Sequence, residues 1–239
     1  MPFIASIEGR SAFGRPPAPP QAPSAAKGGS ILLTASSTSG ISIPNSADVQ
    51  MGTGDFTIEW FQYQLANSGS FQRIFSIGTY PSQSIALSQE GADTTKAIYL
   101  WASGGTQQGV IRNLQGAWYH FAITRASGSL RIFLGGTQIG TTTANSTNFN
   151  NAASVLRIGN ESTTSSGAAF NGYITNFHWV KGTALYTANF TPPTQPITPV
   201  ANTKLLLLAT TSGTTLSDSS GTGKVATGTA ATWSALTPF

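Results

Sequence analysis

An all-β chain, folded as a sandwich or a barrel, is what this sequence predicts. Three observations lead there. From Ser30 onward, short apolar runs recur between clusters of Gly, Ser and Asn. Within the runs, side chains alternate with period two. No convincing helical periodicity appears anywhere along the chain.

The runs follow in order. "SILLTA" and "GISIP" open the body, each rich in β-branched or aliphatic residues and each closed by a turn signal. "DFTIEWFQYQL" aligns Phe56, Ile58 and Trp60, then Phe61, Tyr63 and Leu65 on the opposite parity, so a bulge near Trp60–Phe61 is expected. "QRIFSIG", "SIALSQ", "AIYLWAS" and "GVIRN" are short strands. In "WYHFAITRA", Tyr119, Phe121 and Ile123 form an apolar face against Trp118, His120, Ala122 and Thr124. "LRIFLGGTQIG" reads as a hairpin, because Gly135–Gly136 supplies the positive φ of a tight turn. Leu130, Ile132 and Leu134 share one face of it, Arg131 and Phe133 the other. "TQIGTTT", "VLRIGN", "GYITNFHWVKG" and "TKLLLLAT" complete the set. In "GYITNFHWVKG", Tyr173, Thr175, Phe177 and Trp179 alternate with Ile174, Asn176, His178 and Val180. Both sets are largely apolar, as in a strand covered on both faces. His178 then reads as a satisfied sheet residue, and "TPPTQPITP" as a stiff exit with few hydrogen bonds.

Residues 1–29 differ from the body, residues 30–239. "GRPPAPPQAPSAAKGG" forms neither helix nor central strand and is expected to be extended. Phe3, Ile4, Ile7 and Phe13, with Arg10 and Arg15, give this arm apolar and cationic contacts that a purely solvated tail would not need. We read it as a partner-docking arm.

The 239 residues suffice for one large domain with its own core. Without cysteine there is no disulfide framework and no thiolate metal site. Only 8% of residues are charged, so hydroxyls and amides do the solvating. Of the formal +4, Arg10, Arg15 and Lys27 against Glu8 place +2 in the arm. The body is near neutral and carries no basic stripe, which argues against a nucleic-acid partner. The longest aliphatic run, Leu205–Leu208, is far too short for a membrane helix, and the N-terminus lacks the order of a signal peptide.

"GDFTIEWFQYQ", "QRIFSIG", "GAWYHFAITRASGSLRIFLGGTQIG", "VLRIGN" and "FNGYITNFHWVKGTALYTANFTPPTQPIT", in this order and followed by "NTKLLLLATTSGTTLSDSSG" and "AATWSALTPF", resemble the laminin-G-like, concanavalin A-like jelly-roll family. The resemblance covers about residues 30–239. It implies two packed antiparallel sheets with the first and last strands adjacent. The version with "VKGTALYTANFTPPT" and "LLLLAT" is similar to copies in structural proteins of large DNA viruses and phages. "FIASIEGRSAFGR" is similar to N-terminal segments of giant-virus proteins. Related domains also occur in bacterial surface proteins. The resemblance to the viral copies implies a virion structural protein, with other capsid or fibre proteins and further copies of itself as partners, and a wall-like composition without a secretion signal is explained by a particle assembled inside the host cell.

Some members of this family are glycosidases, a reaction that needs two suitably spaced carboxylates. The eight acids are Glu8, Asp48, Asp55, Glu59, Glu90, Asp93, Glu161 and Asp218, and none forms the Glu-x-Asp-x-x-Glu pattern of the glucanases. Asp55 and Glu59 would lie about 13 Å apart along one strand, too far for a retaining pair. His120 and His178 fall in separate strands and outside any HExxH motif. No G-x-S-x-G elbow or phosphate-binding loop is present. The chain reads as non-enzymatic, with no cofactor required. Two binding readings remain. Relatives hold Ca²⁺ at the sandwich rim, and Asp93, Asn160 and Glu161 are the calcium candidates here. A lectin-like module binding host-surface glycans would use an aromatic platform with amides beside it. Trp101, Tyr99 and Gln107 are the candidates, with Trp118, Trp179 and Tyr80 as further aromatics.

Overall fold

A computed structural model describes residues 28–66, 71–79, 83–90, 95–102, 105–112, 114–161, 169–210 and 215–239. The arm residues Phe3, Ile4, Ile7, Arg10, Phe13 and Arg15 lie outside them, as do Tyr80 and Asp93. Among the described residues there are 16 strands and no helix. The first sheet runs β10 (Thr137–Ala144), β9 (Ser129–Leu134), β8 (Trp118–Ala126), β3 (Phe56–Gln64), β12 (Gly172–Lys181), β1 (Ser30–Leu33) and β16 (Ala231–Ser234). β13 (Thr203–Leu207) pairs with the far half of β12, on the edge whose near half takes β1. The second sheet runs β14 (Thr215–Ser217), β15 (Val225–Thr229), β2 (Gly40–Ile43), β11 (Leu156–Ile158), β4 (Phe71–Ile77), β5 (Ile85–Glu90), β6 (Thr95–Ala102) and β7 (Gly105–Arg112). The fold is thus a two-sheet antiparallel sandwich, and its first strand pairs with its last.

The inner faces meet in one aromatic core. Trp60 stacks on Phe121 at 5.3 Å and meets Phe75 of the opposite sheet edge-on at 5.9 Å. Trp179 meets the same Phe75 ring edge-on at 5.9 Å. Such pairs add to the burial of large apolar surface. The faces expected for β8 and β9 are the observed ones: Phe121, Ile123, Leu130 and Ile132 point into the core.

β3 departs from the expectation. Its pairing with β8 is unbroken from Phe56↔Arg125 to Tyr63↔Trp118, so there is no bulge at Trp60–Phe61. Alternation simply continues, and Gln62 and Gln64 occupy the inner face. The Trp60 indole donates to Gln62 at 2.8 Å, and Gln64 donates to Gln72 across the sheets at 2.9 Å. Phe61 and Tyr63 therefore point outward. The register shift lies in β12 instead, between Thr175 and His178. Asn176 there adopts φ +53°, a conformation asparagine tolerates better than most residues. The shift changes parity, so Ile174 packs into the core before it and Phe177 and Trp179 after it. The sequence pattern had placed Ile174 on the opposite face from the other two.

The Gly135–Gly136 hairpin forms as expected, with φ of +56° and +77° and Thr137 paired to Leu134. The two glycines differ in surroundings. A Cβ at Gly135 meets nothing, whereas one at Gly136 would collide with the carbonyl oxygen of Phe190. Gly135→Ala should cost about 1 kcal/mol from the positive φ alone. Gly136→Ala should exceed about 2 kcal/mol, because turn and loop backbones must also separate. Urea denaturation of both variants checks this ranking.

Candidate functional site

The outer face of the first sheet is half covered by the strap that follows β12, residues 182–200. "TPPTQPITP" cannot join a ladder, so side chains tie it down. The Thr57 hydroxyl donates to the Thr183 carbonyl and accepts from Leu185 N. The Thr124 hydroxyl donates to the Tyr186 carbonyl at 2.8 Å, and Asn176 accepts from Ile197 N at 2.7 Å. Tyr186 and Phe190 stack 3.6 Å apart, and Phe190 N donates to the Gly136 carbonyl.

Beneath the strap, three adjacent strands bring together a buried polar cluster. Register aligns Glu59 of β3 with Ala122 of β8 and His178 of β12. Glu59 is only 2% exposed. Its Oε1 lies 2.7 Å from His178 Nδ1, and its Oε2 lies 3.0 Å from His120 Nε2. The Tyr186 hydroxyl donates to the same Oε2 at 2.8 Å. Burial pushes this carboxyl up, but hydrogen bonds from His120 and His178 outweigh it and hold its pKa at about 2. An ionised carboxylate only accepts, so both imidazoles present N–H groups to it. His178 Nε2, 2.8 Å from Thr203 Oγ1, then accepts from that hydroxyl in the neutral imidazole. Thr203 in turn accepts from Val200 N at 2.9 Å. Burial, and then Glu59, raise the Tyr186 phenol well above its ordinary value, so it remains a donor.

The Glu59–His178–Thr203 line has the order of an acid, a base and a hydroxyl nucleophile. The hydroxyl, however, holds the Val200 turn and is itself buried. A cleft of about 410 Å³ opens above the cluster, lined by Glu59, His178, Leu185, Tyr186, Ile197 and Val200, with Thr203 outside it. The arrangement joins three strands to the strap. His178 is satisfied on both nitrogens, as the sequence suggested. The convergence of His178 with His120 on Glu59 was not foreseen. The missing signal was strand order, since only a β3 lying between β8 and β12 makes neighbours of residues so distant in sequence.

The aromatic pair expected for glycans stands on the outer face of the second sheet. Ile98 and Leu100 enter the core, so Tyr99 and Trp101 point away from it. Their rings are 5.8 Å apart and tilted by 34°, and both residues are half-buried. The Trp101 indole donates to Ser88 at 2.7 Å, and the Arg73 guanidinium lies 5.8 Å from its ring centre. Register sets Gln107 opposite Leu100 and Gln108 opposite Tyr99. Gln107's side chain lies outside the described residues. Trp179 is fully buried in the core.

Of the calcium candidates, Glu161 pairs with Arg73 at 2.9 Å. The Asn160 amide accepts from Glu161 N and donates to the Ser37 carbonyl. Both are buried and engaged in the fold. Among the described residues, no three or more His, Asp or Glu side chains are grouped as a metal site.

A comparison with curated proteins gives no match. Solved structures share the fold. A candidate carbohydrate-binding protein from Bacteroides ovatus matches 87% of this chain and 60% of its own, at 15% identity and a TM-score of 0.67. A heptameric pentraxin from Limulus polyphemus matches 69% of this chain and 80% of its own, at 15% identity and a TM-score of 0.55. The extracellular region of zebrafish Gpr126 matches 84% of this chain and 26% of its own, at 11% identity and a TM-score of 0.52. The family model described as the concanavalin A-like lectin/glucanases superfamily matches residues 35–186, most of the sandwich. The chain belongs to that superfamily.

Proposed function

We propose that this protein is a non-enzymatic structural component of a virus particle: a minor capsid, cement, spike or fibre protein of a large DNA virus or phage. The observation that carries the non-enzymatic part is how its acids are used. Asp48 pairs with Lys224 at 2.6 Å and Lys204 at 3.8 Å. Asp55 accepts from Ser127 N at 2.8 Å. Asp218 accepts from Leu206 N and Ser220 N, and Glu59 and Glu161 are committed as described above. Each carboxylate with described surroundings holds strands or loops together. The body then acts as a compact knob, and residues 1–27 act as its docking element. Phe3, Ile4, Ile7 and Phe13 fill grooves on neighbouring subunits, while Arg10 and Arg15 pair with acidic or carbonyl surfaces. Proline lowers the entropy lost when the arm orders. Deleting residues 1–27 should leave the body folded and abolish incorporation into particles. Normal incorporation of the truncated chain refutes the arm.

The outward Tyr99–Trp101 pair favours a second reading, a lectin-like module that binds host-surface glycans. Trp101→Ala should then abolish binding on a glycan array while the circular dichroism spectrum stays unchanged. Absence of binding by the intact chain across the array counts against it.

A further inference from the structure

The cleft above the Glu59 cluster has more acceptors than donors, and no lysine or arginine lines it. At its floor, among the described residues, Glu59 Oε1 accepts only from His178, while Oε2 accepts from both His120 and Tyr186. A carboxylate has about four acceptor positions, so one on Oε1 is left over. With neutral imidazoles the cluster carries one net negative charge. Glu59 is nearly buried, and a charge there acts through less water than one at the surface. The strap supplies the wall. Residues 193–199 bring seven carbonyls but, with three prolines among them, only four N–H groups. One of those four, at Ile197, is spent on Asn176. Among the described residues, no donor bonds to the seven carbonyls. Leu185, Ile197 and Val200 add apolar surface between the acceptors. The volume of about 410 Å³ lies within the range of small-molecule sites.

We infer that this cleft binds a primary alkylammonium group, its charge paired with Glu59 Oε1 and its chain lying against Leu185, Ile197 and Val200. An ammonium has three donors and no acceptor. One donor goes to Glu59 and the others to strap carbonyls, which matches the surplus of acceptors. The same surplus disfavours the alternatives. A carboxylate is repelled by Glu59 and finds few donors. A quaternary amine has no N–H to give. A guanidinium presents a planar fork that pairs with both oxygens of a carboxylate, and here only one oxygen has a position left. The site lies apart from the Tyr99–Trp101 face and from residues 1–27. It therefore holds whether or not the chain belongs to a particle.

The probe is n-butylamine, the free form of a lysine side chain, added to the full-length protein at constant pH and ionic strength. It should shift the methyl signals of Leu185, Ile197 and Val200 and the ring signals of His178, saturating in about the millimolar range expected of so small a ligand. n-Butanol should bind at least about tenfold more weakly, because it lacks the charge-assisted hydrogen bond. Glu59→Gln disturbs the fold itself, so the variant of choice is Thr198→Lys. Thr198 is exposed on the cleft wall, and a lysine there brings an ammonium of its own. That variant should lose the response, and Thr198→Ala should keep it. Equal shifts with the alcohol mean a cleft that is only apolar, and overturn the proposal. Shifts that never saturate, or an undiminished response in Thr198→Lys, overturn it as well. Nα-Acetyl-lysine amide separates the sources of the ammonium. Shifts of the same methyls support a lysine side chain of a partner, and failure beside a saturable n-butylamine response supports a free amine.

Discussion

Glu59→Gln is expected to cost the fold about 3–5 kcal/mol, the usual scale for breaking a buried charged network at one partner. The carboxylate accepts from His120, His178 and Tyr186, so an amide in its place meets donors with a donor. Those donors come from β8, β12 and the strap, and the loss should loosen all three against β3. The acid limb gives an independent check. The folded pKa of Glu59 is depressed to about 2 from 4.5, so its contribution is fully present above 4.5. It is lost as pH falls from there through about 2, and amounts to roughly 3 kcal/mol. Urea unfolding of the two proteins should show a stability gap that closes as pH falls through this window. A constant gap would mean that Glu59 acts through packing instead of charge.

Arg125→Met is the second large effect, again about 3–5 kcal/mol, since each buried carbonyl left unsatisfied costs about 1–3 kcal/mol. Arg125 is fully buried. Its guanidinium donates to the carbonyls of Gly52, Gly54 and Thr147 and to the Asn145 amide oxygen, at 2.6–3.0 Å. It also lies 4.7 Å from the Phe149 ring centre and 5.1 Å from that of Phe56. Burial depresses its pKa and Asp55 opposes this, yet a guanidinium stays charged at any ordinary pH. One side chain thus ties two rim loops together, and a lysine, lacking the planar fork, should rescue little. Arg131 is the contrast: it is half-exposed on β9, and among the described residues its side chain donates only to the Ser129 carbonyl, at 3.3 Å. Arg131→Met should stay within about 0.5 kcal/mol. Equal effects at the two positions would contradict the buried-clamp role.

Where one parity of a strand is plainly the more apolar, the sequence pattern reads directly. β8 and β9 show this although the strap buries most of the outer face of β8 as well, and Gly135–Gly136 name the turn from β9 to β10. Where both parities are apolar, the pattern loses its meaning. Phe61 points outward against Phe239, 5.1 Å away, and Gln62 points inward to the Trp60 indole. Hydrophobicity alone assigns those two positions backwards and invents a bulge. The real bulge, at Asn176, hides in a strand that is apolar on both sides. The sequence pattern does not mark β14, β15 and β16 as strands. "VATGT" and "ATWS" carry little apolar weight and owe their extended form to the neighbours they pair with. The Glu59 cluster was invisible for a related reason: no local pattern records which strands become neighbours. Trp101 and Tyr99 stand out in the sequence only as aromatics near a strand end; the core positions of Ile98 and Leu100 are what set them on the outer face.

The most direct test of the particle reading is quantitative mass spectrometry across a density gradient of the source material. Co-sedimentation of this chain with intact particles, in fixed ratio to a major capsid protein, is the predicted result. Recovery in the soluble fractions, or with cell-surface material, would contradict the structural role and leave the glycan-binding reading in its place.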